Sequence, residues 1–439
     1  MPGYYFELAL RSLRRNVALT ILVVAAVGIG IGTSMTEFAV MRALSGDPVA
    51  DKSSKLVVPL IDVWGPGSRD TGDSAADLPD QLTYRDAIAL MNSRKGLHQT
   101  AMYGIGPIVT PAQGRRYRVS GRATYADFFV MFEAPFRSGG PWSQVDDAQH
   151  ANVAVLGAGL AAKLFPLGEA VGKTITLDAR SYRVVGVLAP WQLIPRVYDM
   201  SQNAVTDAED LYLPFSTAID RQMHHVGHDS CDTPSPPGWQ AHLESSCVWI
   251  QFWAELAGAG AVSDYRQYLL NYAADQRHTG RFHWAPLVQV YTAREWIALK
   301  KVVPDEVKLS TLIAFGFLIV CLINAVGLML ARFASRATEL GVRRALGASR
   351  WDIFCQCITE TAVLGLVGGA LGIGLTALGQ SGERMLGGTD SPVIRIVYSL
   401  DLGLVLITVG VAVVATICSG LYPTWRASRV QPALQLKTN

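Results

Sequence analysis

Charge is scarce in this chain of 439 residues: Asp, Glu, Lys and Arg together make up 17% of it, while half of it is hydrophobic. Soluble globular chains usually carry about 25% charge. Part of the chain therefore belongs in lipid, and enough polar sequence remains for at least one domain facing water. The charge also lacks a dominant sign, with 38 basic against 36 acidic residues. That balance excludes the strongly basic surface of a nucleic-acid binder. Catalytic patterns are missing too: no spacing supports a nucleophile triad, a paired-carboxylate acid–base site or a metalloenzyme motif. The nearest approach to a nucleotide motif is Gly168-Glu-Ala-Val-Gly172-Lys173-Thr174. A phosphate-binding loop needs four residues between its glycines, and position 167 is Leu167. The following Thr174-Ile-Thr-Leu177 alternates like a strand, where a phosphate loop would open a helix.

What is present is a set of long apolar runs. A span needs about 20 apolar residues to cross about 30 Å of hydrocarbon. Four runs qualify: Val17 to Met41, Leu309 to Ala331, Ile353 to Leu378 and Leu402 to Leu421. Positive charge near the ends of spans stays cytoplasmic. Arg11, Arg14 and Arg15 precede the first run, and Arg332, Arg336, Arg343, Arg344 and Arg350 lie between the second and third. Arg426, Arg429 and Lys437 follow the fourth, whereas Arg384 and Arg395 in the short loop 379–401 are balanced by Glu383, Asp390 and Asp401. Both termini and the loop 332–352 are expected in the cytoplasm, with 42–308 outside. The first run exceeds the apolar stretch of a signal peptide and lacks a clear cleavage site, so it reads as an uncleaved anchor. Ahead of it, Phe6, Ala9, Leu10 and Leu13 follow helical spacing, with the arginines on another face. Segment 1–16 is either an amphipathic helix on the membrane surface or the solvated start of the first span.

The external segment reads as mixed α+β in two lobes. Helical signals fall at Leu82–Asn92 and Leu160–Phe165, the latter stopped before Pro166; strand signals fall at Tyr117–Val119, Val153–Leu156, Thr174–Leu177 and Tyr182–Leu188. Residues 56–190 and 282–300 read as a core lobe. Residues 191–281, where Pro, His, Trp and Cys cluster, read as a second lobe inserted into it. Val248-Trp-Ile-Gln-Phe-Trp-Ala254 alternates as a strand, so that Trp249, Gln251 and Trp253 share a face, either buried or open to an apolar partner.

Only two of the six cysteines, Cys231 and Cys247, fall outside the membrane-associated segments. An oxidising compartment favours a disulfide between them. His224, His225, His228 and His242 lie nearby, but their spacing matches no standard zinc set, so no metal is assigned. Cys321, Cys355, Cys357 and Cys418 read as packing residues. Ionisable groups are nearly absent from the spans; Glu37 and Glu360 sit at span edges where they can reach the interface. Ion-coupled carriers usually keep such groups inside the membrane, so the energy source is expected elsewhere. Gly28 and Gly32 in the first span, and Gly365, Gly368, Gly369 and Gly372 in the third, form G-x-x-x-G pairs that suit either packing within one subunit or a dimer seam.

The most specific stretch is the cytoplasmic loop Thr338-Glu-Leu-Gly-Val-Arg-Arg-Ala-Leu-Gly-Ala-Ser-Arg350, followed by Trp351-Asp-Ile-Phe354. Glu339 and Arg343 at i, i+4 support a helix, Gly347 suits its stop, and Ser349 with Asp352 suits the cap of the next one. This loop resembles the cytoplasmic signature of MacB/FtsX-type permeases, the membrane subunits of one class of ABC transporter. Tyr422-Pro-Thr-Trp-Arg-Ala-Ser-Arg-Val-Gln-Pro-Ala433 resembles that family's ending, and Asp127-Phe-Phe129 with 153–188 resembles its periplasmic core domain. The resemblance implies a multi-pass protein of the bacterial inner membrane that pairs with a second permease, as a homo- or heterodimer. It also implies no catalytic site on this chain and no cofactor bound by it, with ATP and Mg on a separate cytoplasmic ATPase. Family members work with a periplasmic adaptor and an outer-membrane duct to export macrolides or peptides; others move lipoproteins or regulate cell-wall hydrolases. Export of a periplasmic cargo such as a drug, peptide or lipid-like molecule is the expected role, with regulation of a periplasmic enzyme as the alternative. Glu339, Leu340, Arg343, Arg344, Leu346, Gly347 and Arg350 are the expected ATPase-coupling residues, with Leu340 and Leu346 as apolar anchors.

Overall fold

The computed structural model describes residues 17–65, 78–385 and 402–428, apart from positions 113, 167, 202, 203, 205, 235 and 236. The expected amphipathic helix 1–16 and most of the loop 379–401 lie outside the described residues. The chain divides into two units, one of residues 1–45 and 303–439 and the other of residues 46–302.

In chain order the elements are α1 (Val17–Ser45), β1 (Leu56–Ile61), β2 (Leu82–Thr83), α2 (Tyr84–Ser93), β3 (His98–Ile105), β4 (Ile108–Thr110), β5 (Tyr117–Arg118), β6 (Gly121–Thr124), α3 (Asp127–Met131), β7 (Phe136–Gly139), α4 (Gln144–Ala148), β8 (Val153–Leu156), α5 (Ala158–Leu164), β9 (Thr174–Leu177) and β10 (Arg180–Leu188). There follow β11 (Leu211–Pro214), α6 (Phe215–Asp220), α7 (Trp239–Glu244), β12 (Val248–Glu255), α8 (Ala259–His278), β13 (Val288–Thr292), α9 (Ala293–Leu299), α10 (Asp305–Ala334), α11 (Ala337–Ala345), α12 (Arg350–Met385) and α13 (Leu402–Ser428).

The external unit is built on one mixed sheet of order β13-β1-β12-β3-β6-β11-β8-β10-β9-β4-β5, with β2 on β12 and β7 on β10. The β6–β11 and β8–β10 pairs are parallel, and the remaining pairs are antiparallel. Every residue of β1 is buried. Its alternate side chains enter two different cores: Val57 and Ile61 pack on one face, and Leu56, Val58 and Leu60 on the other. Helices α2, α5, α6 and α8 cover the first face, while α3 and α9 cover the second with the segment around Tyr198. Local signals set the ends of the helices. Thr83 caps α2 by accepting from the Asp86 amide, and Ser143 and Thr292 open α4 and α9 with reciprocal boxes through Asp146 and Glu295.

Two expectations are corrected here. Residues 191–281 do not form a separate inserted lobe. They supply β11 and β12, which pair with β6, β8, β1 and β3 inside the common sheet, so the strand read at Val248–Ala254 is a central one and the loop-rich sequence before it hides a second buried strand, β11. The Trp249–Gln251–Trp253 face is not a single surface either. A register shift between Val248 and Ile250 sends Trp249 to one core and Trp253 to the other, and all of β12 is buried. The phosphate-loop look-alike ends in β9, as its alternation indicates.

Among its described residues, the other unit holds four helices long and apolar enough to cross a membrane: Val17–Arg42, Asp305–Ala334, Arg350–Leu375 and Leu406–Arg426. Leu309, Leu312, Ile313, Val320 and Ile323 on α10 are exposed, as lipid-facing positions require. Val23, Val27, Ile31, Leu318, Ala325, Met329 and Leu364 form the interior. Ser34 on α1 donates to the Ala314 carbonyl of α10 at 2.9 Å, and Ser310 of α10 donates to Glu37 at 2.7 Å.

Candidate functional site

The loop between the second and third spans folds as an elbow. Helix α11 carries the Glu339–Arg343 pair at 3.2 Å, and a second contact joins Glu339 to Arg336 at 3.5 Å. Gly347 has φ +104°, a left-handed conformation that L side chains adopt only at a cost, so glycine ends the helix there. Ser349 then accepts from the Asp352 amide at 3.1 Å, and Asp352 accepts from the Ser349 amide at 2.9 Å. This reciprocal cap opens α12 within three residues of the glycine turn.

The elbow is tied to the base of the spans by a chain of side chains. Arg343 donates to Gln356 at 2.7 Å, and Gln356 donates to Glu360 at 3.4 Å. Arg336 places Nη1 at 3.1 Å from both oxygens of Glu360, and Arg332 lies at 3.8 Å. Glu360 is 1% exposed, so it does not reach the interface, contrary to the expectation from its place near a span edge. The arginines of α10 and of the turn after it hold it inside, and one carboxylate joins α10, α11 and α12. Leu340 is buried in the bundle core, which removes it as an anchor for a partner; Leu346 is 82% exposed. Val342 and Trp351, not named among the coupling residues, are exposed as well, with Trp351 stacked on Phe354 at 5.4 Å. The signal for Trp351 lies in the sequence: a large aromatic two positions after a capping serine sits in the first turn, outside the apolar period. Arg350 is exposed, and Arg344 is half-buried.

The glycine pairs close seams within this chain. A Cβ on Gly372 would lie 3.0 Å from the Gly28 carbonyl, and one on Gly368 would lie 2.9 Å from Val27. Gly28 and Gly32 meet α12 in the same way, while Gly365 and Gly369 face Thr416 and Ala412 of α13. Glycine is therefore required for backbone contact between α1 and α12, and between α12 and α13. Of the cysteines, Cys321 and Cys357 are buried in this bundle, but Cys418 is exposed on it and does not fill the interior.

The described residues of the external unit include three polar centres. Arg122 on β6 is buried between Asp199 and Glu209, at 2.6 Å from each, with Arg196 at 3.4 Å from Glu209. Tyr198 and Tyr212 donate to Glu209 at 2.8 and 3.2 Å. Burial pushes both carboxyls up, but Arg122 and Arg196 outweigh it and hold them below the usual carboxylate range. A cleft of about 490 Å³ lies elsewhere, lined by Arg94, Gln99, Tyr125, Asp127, Asp147 and His150. Burial pushes the Asp147 carboxyl up to about 7, against the Ala126 amide and Trp142 indole that donate to it at 2.9 and 2.7 Å. In the third centre Cys231 and Cys247 form a disulfide, beside the stacked rings of His225 and His242.

Two family models match the chain. One, described as the MacB-like periplasmic core domain, matches residues 20–251; the other, described as the FtsX-like permease C-terminal, matches residues 311–432. The chain belongs to the MacB/FtsX-type ABC permease family. It is 26% identical over 378 residues to the "Macrolide export ATP-binding/permease protein MacB" of Salmonella typhi, over 84% of this chain and 51% of that protein. The protein of the same name from Marinobacter nauticus is 24% identical over 436 residues, covering 97% of this chain and 59% of its own length. This permease thus spans about half the length of the curated relatives it matches. Among solved structures, the periplasmic region of MacB from Actinobacillus actinomycetemcomitans aligns at 14% identity over 58% of this chain and 95% of that one, with a TM-score of 0.35. The matched permease C-terminal segment contains the whole elbow, its cap and the Glu360 cluster.

Proposed function

We propose that this chain is the membrane permease subunit of an exporter in the bacterial inner membrane, driven by a separate cytoplasmic ATPase that docks on the elbow. The observation that carries this reading is the elbow itself. Two helices meet at a glycine turn and a reciprocal cap, and the chain Arg343–Gln356–Glu360–Arg336 fixes them to the spans. A displacement applied at exposed Leu346, Val342 and Trp351 moves α11 and α12 together rather than bending a loop. Helices α1 and α10 lead in chain order into and out of the external unit, so the motion has a covalent route there. ATP and Mg belong to the partner in this reading, a second permease completes the dimer, and an adaptor with an outer-membrane duct receives the cargo. The name of the MacB relatives, which joins macrolide export to an ATP-binding/permease protein, supports export over regulation.

The test changes Leu346 and Arg344 together to Asp, then follows membrane insertion, ATPase co-purification and cargo efflux. Normal insertion with lost ATPase binding and lost efflux is expected. Intact binding and efflux would remove the elbow from the mechanism. Topology is tested separately: a reporter at Gly140 should be active only in the periplasm, and one at Ala345 only in the cytoplasm.

A further inference from the structure

The sequence alone favours a disulfide over a metal in the segment 224–247, yet the fold assembles ligands beside the disulfide. His225, Asp229 and His242 each direct a ligand atom into one small volume, all within 4.8 Å of one another. His225 Nε2 lies 3.9 Å from Asp229 Oδ2, and the two imidazoles are parallel within 7° at 5.9 Å between centroids. Asp229 is the ligand that a search for His and Cys spacing misses, because it lies one turn-length from His225 in a stretch without helix.

Three independent staples hold these residues. His225 bridges to Ile105 of β3, and the Val226 amide donates to the Gly104 carbonyl at 2.8 Å. Ser230 exchanges backbone bonds with Val248 of β12 at 3.2 and 2.8 Å. The Cys231–Cys247 bond closes the segment that carries α7 and His242. Trp249 backs both rings, at 5.4 Å from His225 and 5.1 Å from His242. The backbone that presents the ligands is thus fixed before any ion arrives, and all three ligands are half-buried, which leaves a side open to water.

We propose that His225, Asp229 and His242 form a binding site for one divalent transition-metal ion on the external unit. Two imidazoles and one carboxylate suit zinc, nickel or copper, with a water or a further ligand completing the shell. Zinc bonds of about 2.0–2.2 Å need ligand atoms roughly 3.3 Å apart. Side-chain rotation would have to close a remaining gap of up to about 1.5 Å. Calcium and magnesium are disfavoured because they select oxygen donors. The bound ion would clamp segment 225–231 to α7 through His242, as a reversible counterpart of the disulfide.

The test uses the full chain in detergent, purified with a tag free of histidine, stripped with chelator and dialysed against micromolar Zn²⁺ alone. About one zinc per chain is expected by mass spectrometry of the metal, with a rise in melting temperature. His225→Ala with His242→Ala should abolish both effects, whereas His278→Ala, at the exposed end of α8, should change neither. Asp229→Asn keeps the size of the side chain and should weaken binding at least about tenfold. His242→Gln serves if the double variant misfolds, as judged by mapping the Cys231–Cys247 linkage. Undiminished zinc in His242→Gln overturns the assignment. So does the absence of zinc from the wild-type chain, or zinc that binds only after the disulfide is reduced, which would transfer the site to the thiols.

Discussion

The membrane unit and the external unit solve opposite problems with the same few devices. In lipid, apolar side chains gain little by leaving one apolar medium for another, so close approach of backbones has to hold helices together. Gly28, Gly32, Gly368 and Gly372 supply that approach between α1 and α12, and a single carboxylate, Glu360, gathers Arg332 of α10 and Arg336 of the turn after it. In water, burial of side chains does the holding. The external sheet is covered on both faces, and its second core alone packs Phe128 edge-on or tilted against Phe132, Tyr198 and Tyr212. Its ionic centre, Arg122 with Asp199 and Glu209, crosses from a strand to a long loop. Ionic centres therefore mark, in both units, the point where an irregular segment is fastened to a regular frame.

The sharpest way to break this comparison is to remove the cation of one centre and the anion of the other. Arg122→Ala leaves two buried carboxylates without their main cation, and a cost of about 3–5 kcal/mol to the external unit is expected. Glu360→Ala leaves Arg332 and Arg336 facing each other and should cost the membrane unit a similar about 3–5 kcal/mol. Unfolding followed by proteolysis should report the first loss between residues 46 and 302, and the second in the helices. If either variant lowers both units equally, the division into separately fastened frames is wrong.

Acidity should next separate two carboxyl centres within the external unit. The Asp147 carboxyl stands at about 7 in the fold, above its unfolded value, so its contribution is complete in acid and is lost as pH rises toward and through 7. Asp199 and Glu209 are held low, so their contribution is present above the unfolded carboxylate range and is lost as pH falls through their folded values. The external unit should therefore be most stable in mildly acidic solution. A fall of up to about 4 kcal/mol is expected from Asp147 between about pH 4 and about pH 8, since each tenfold change in proton affinity is worth about 1.4 kcal/mol. Melting temperature against pH measures it. Asp147→Asn should flatten the alkaline side and leave the acid side unchanged.

The sequence made the membrane unit more legible than the external one, for a physical reason. Apolar runs, arginine bias and the Glu339, Gly347, Ser349 signals are local, and each depends on neighbours within a few residues. The inside location of Glu360 depends on Arg332 and Arg336 from another helix, so its place near a span edge misleads. Leu340 resembles an anchor in sequence because its partners lie in other helices of the bundle. In the external unit the order of strands is set by pairings between distant segments: β12 lies between β1 and β3, and β11 between β6 and β8. Nothing local in Leu211–Pro214 distinguishes a central strand from a short apolar stretch in a loop. The register shift that splits Trp249 from Trp253 is likewise invisible to alternation.

The glycine seam gives a smaller, cleaner contrast. Gly372→Val places a branched side chain where even a Cβ lies 3.0 Å from the Gly28 carbonyl, and overpacking should cost about 1–3 kcal/mol. Gly374, one position past the next residue, meets nothing within 4 Å, so Gly374→Ala should be neutral or gain up to about 1 kcal/mol of helix propensity. Unfolding in mixed detergent reads both. Equal destabilisation by the two would place the seam elsewhere.

The smallest expected effect tests the elbow against the frame it is fixed to. Ser349→Ala removes the side chain that accepts from the Asp352 amide, while Gly347 keeps its turn and Arg343 keeps Gln356. Loss of an N-cap costs about 1 kcal/mol, felt in the first turn of α12 and not in the spans. The turn then frays at exposed Trp351, one of the side chains proposed to meet the ATPase. Melting of the membrane unit should hardly change, yet ATPase-driven efflux should fall while ATPase binding through Leu346 persists. Ser349→Asp restores an oxygen acceptor at the N-terminus of a helix and should recover efflux. A variant Ser349→Ala with full efflux would mean that motion enters the spans without a rigid elbow, through α11 and the Arg336–Glu360 contact alone.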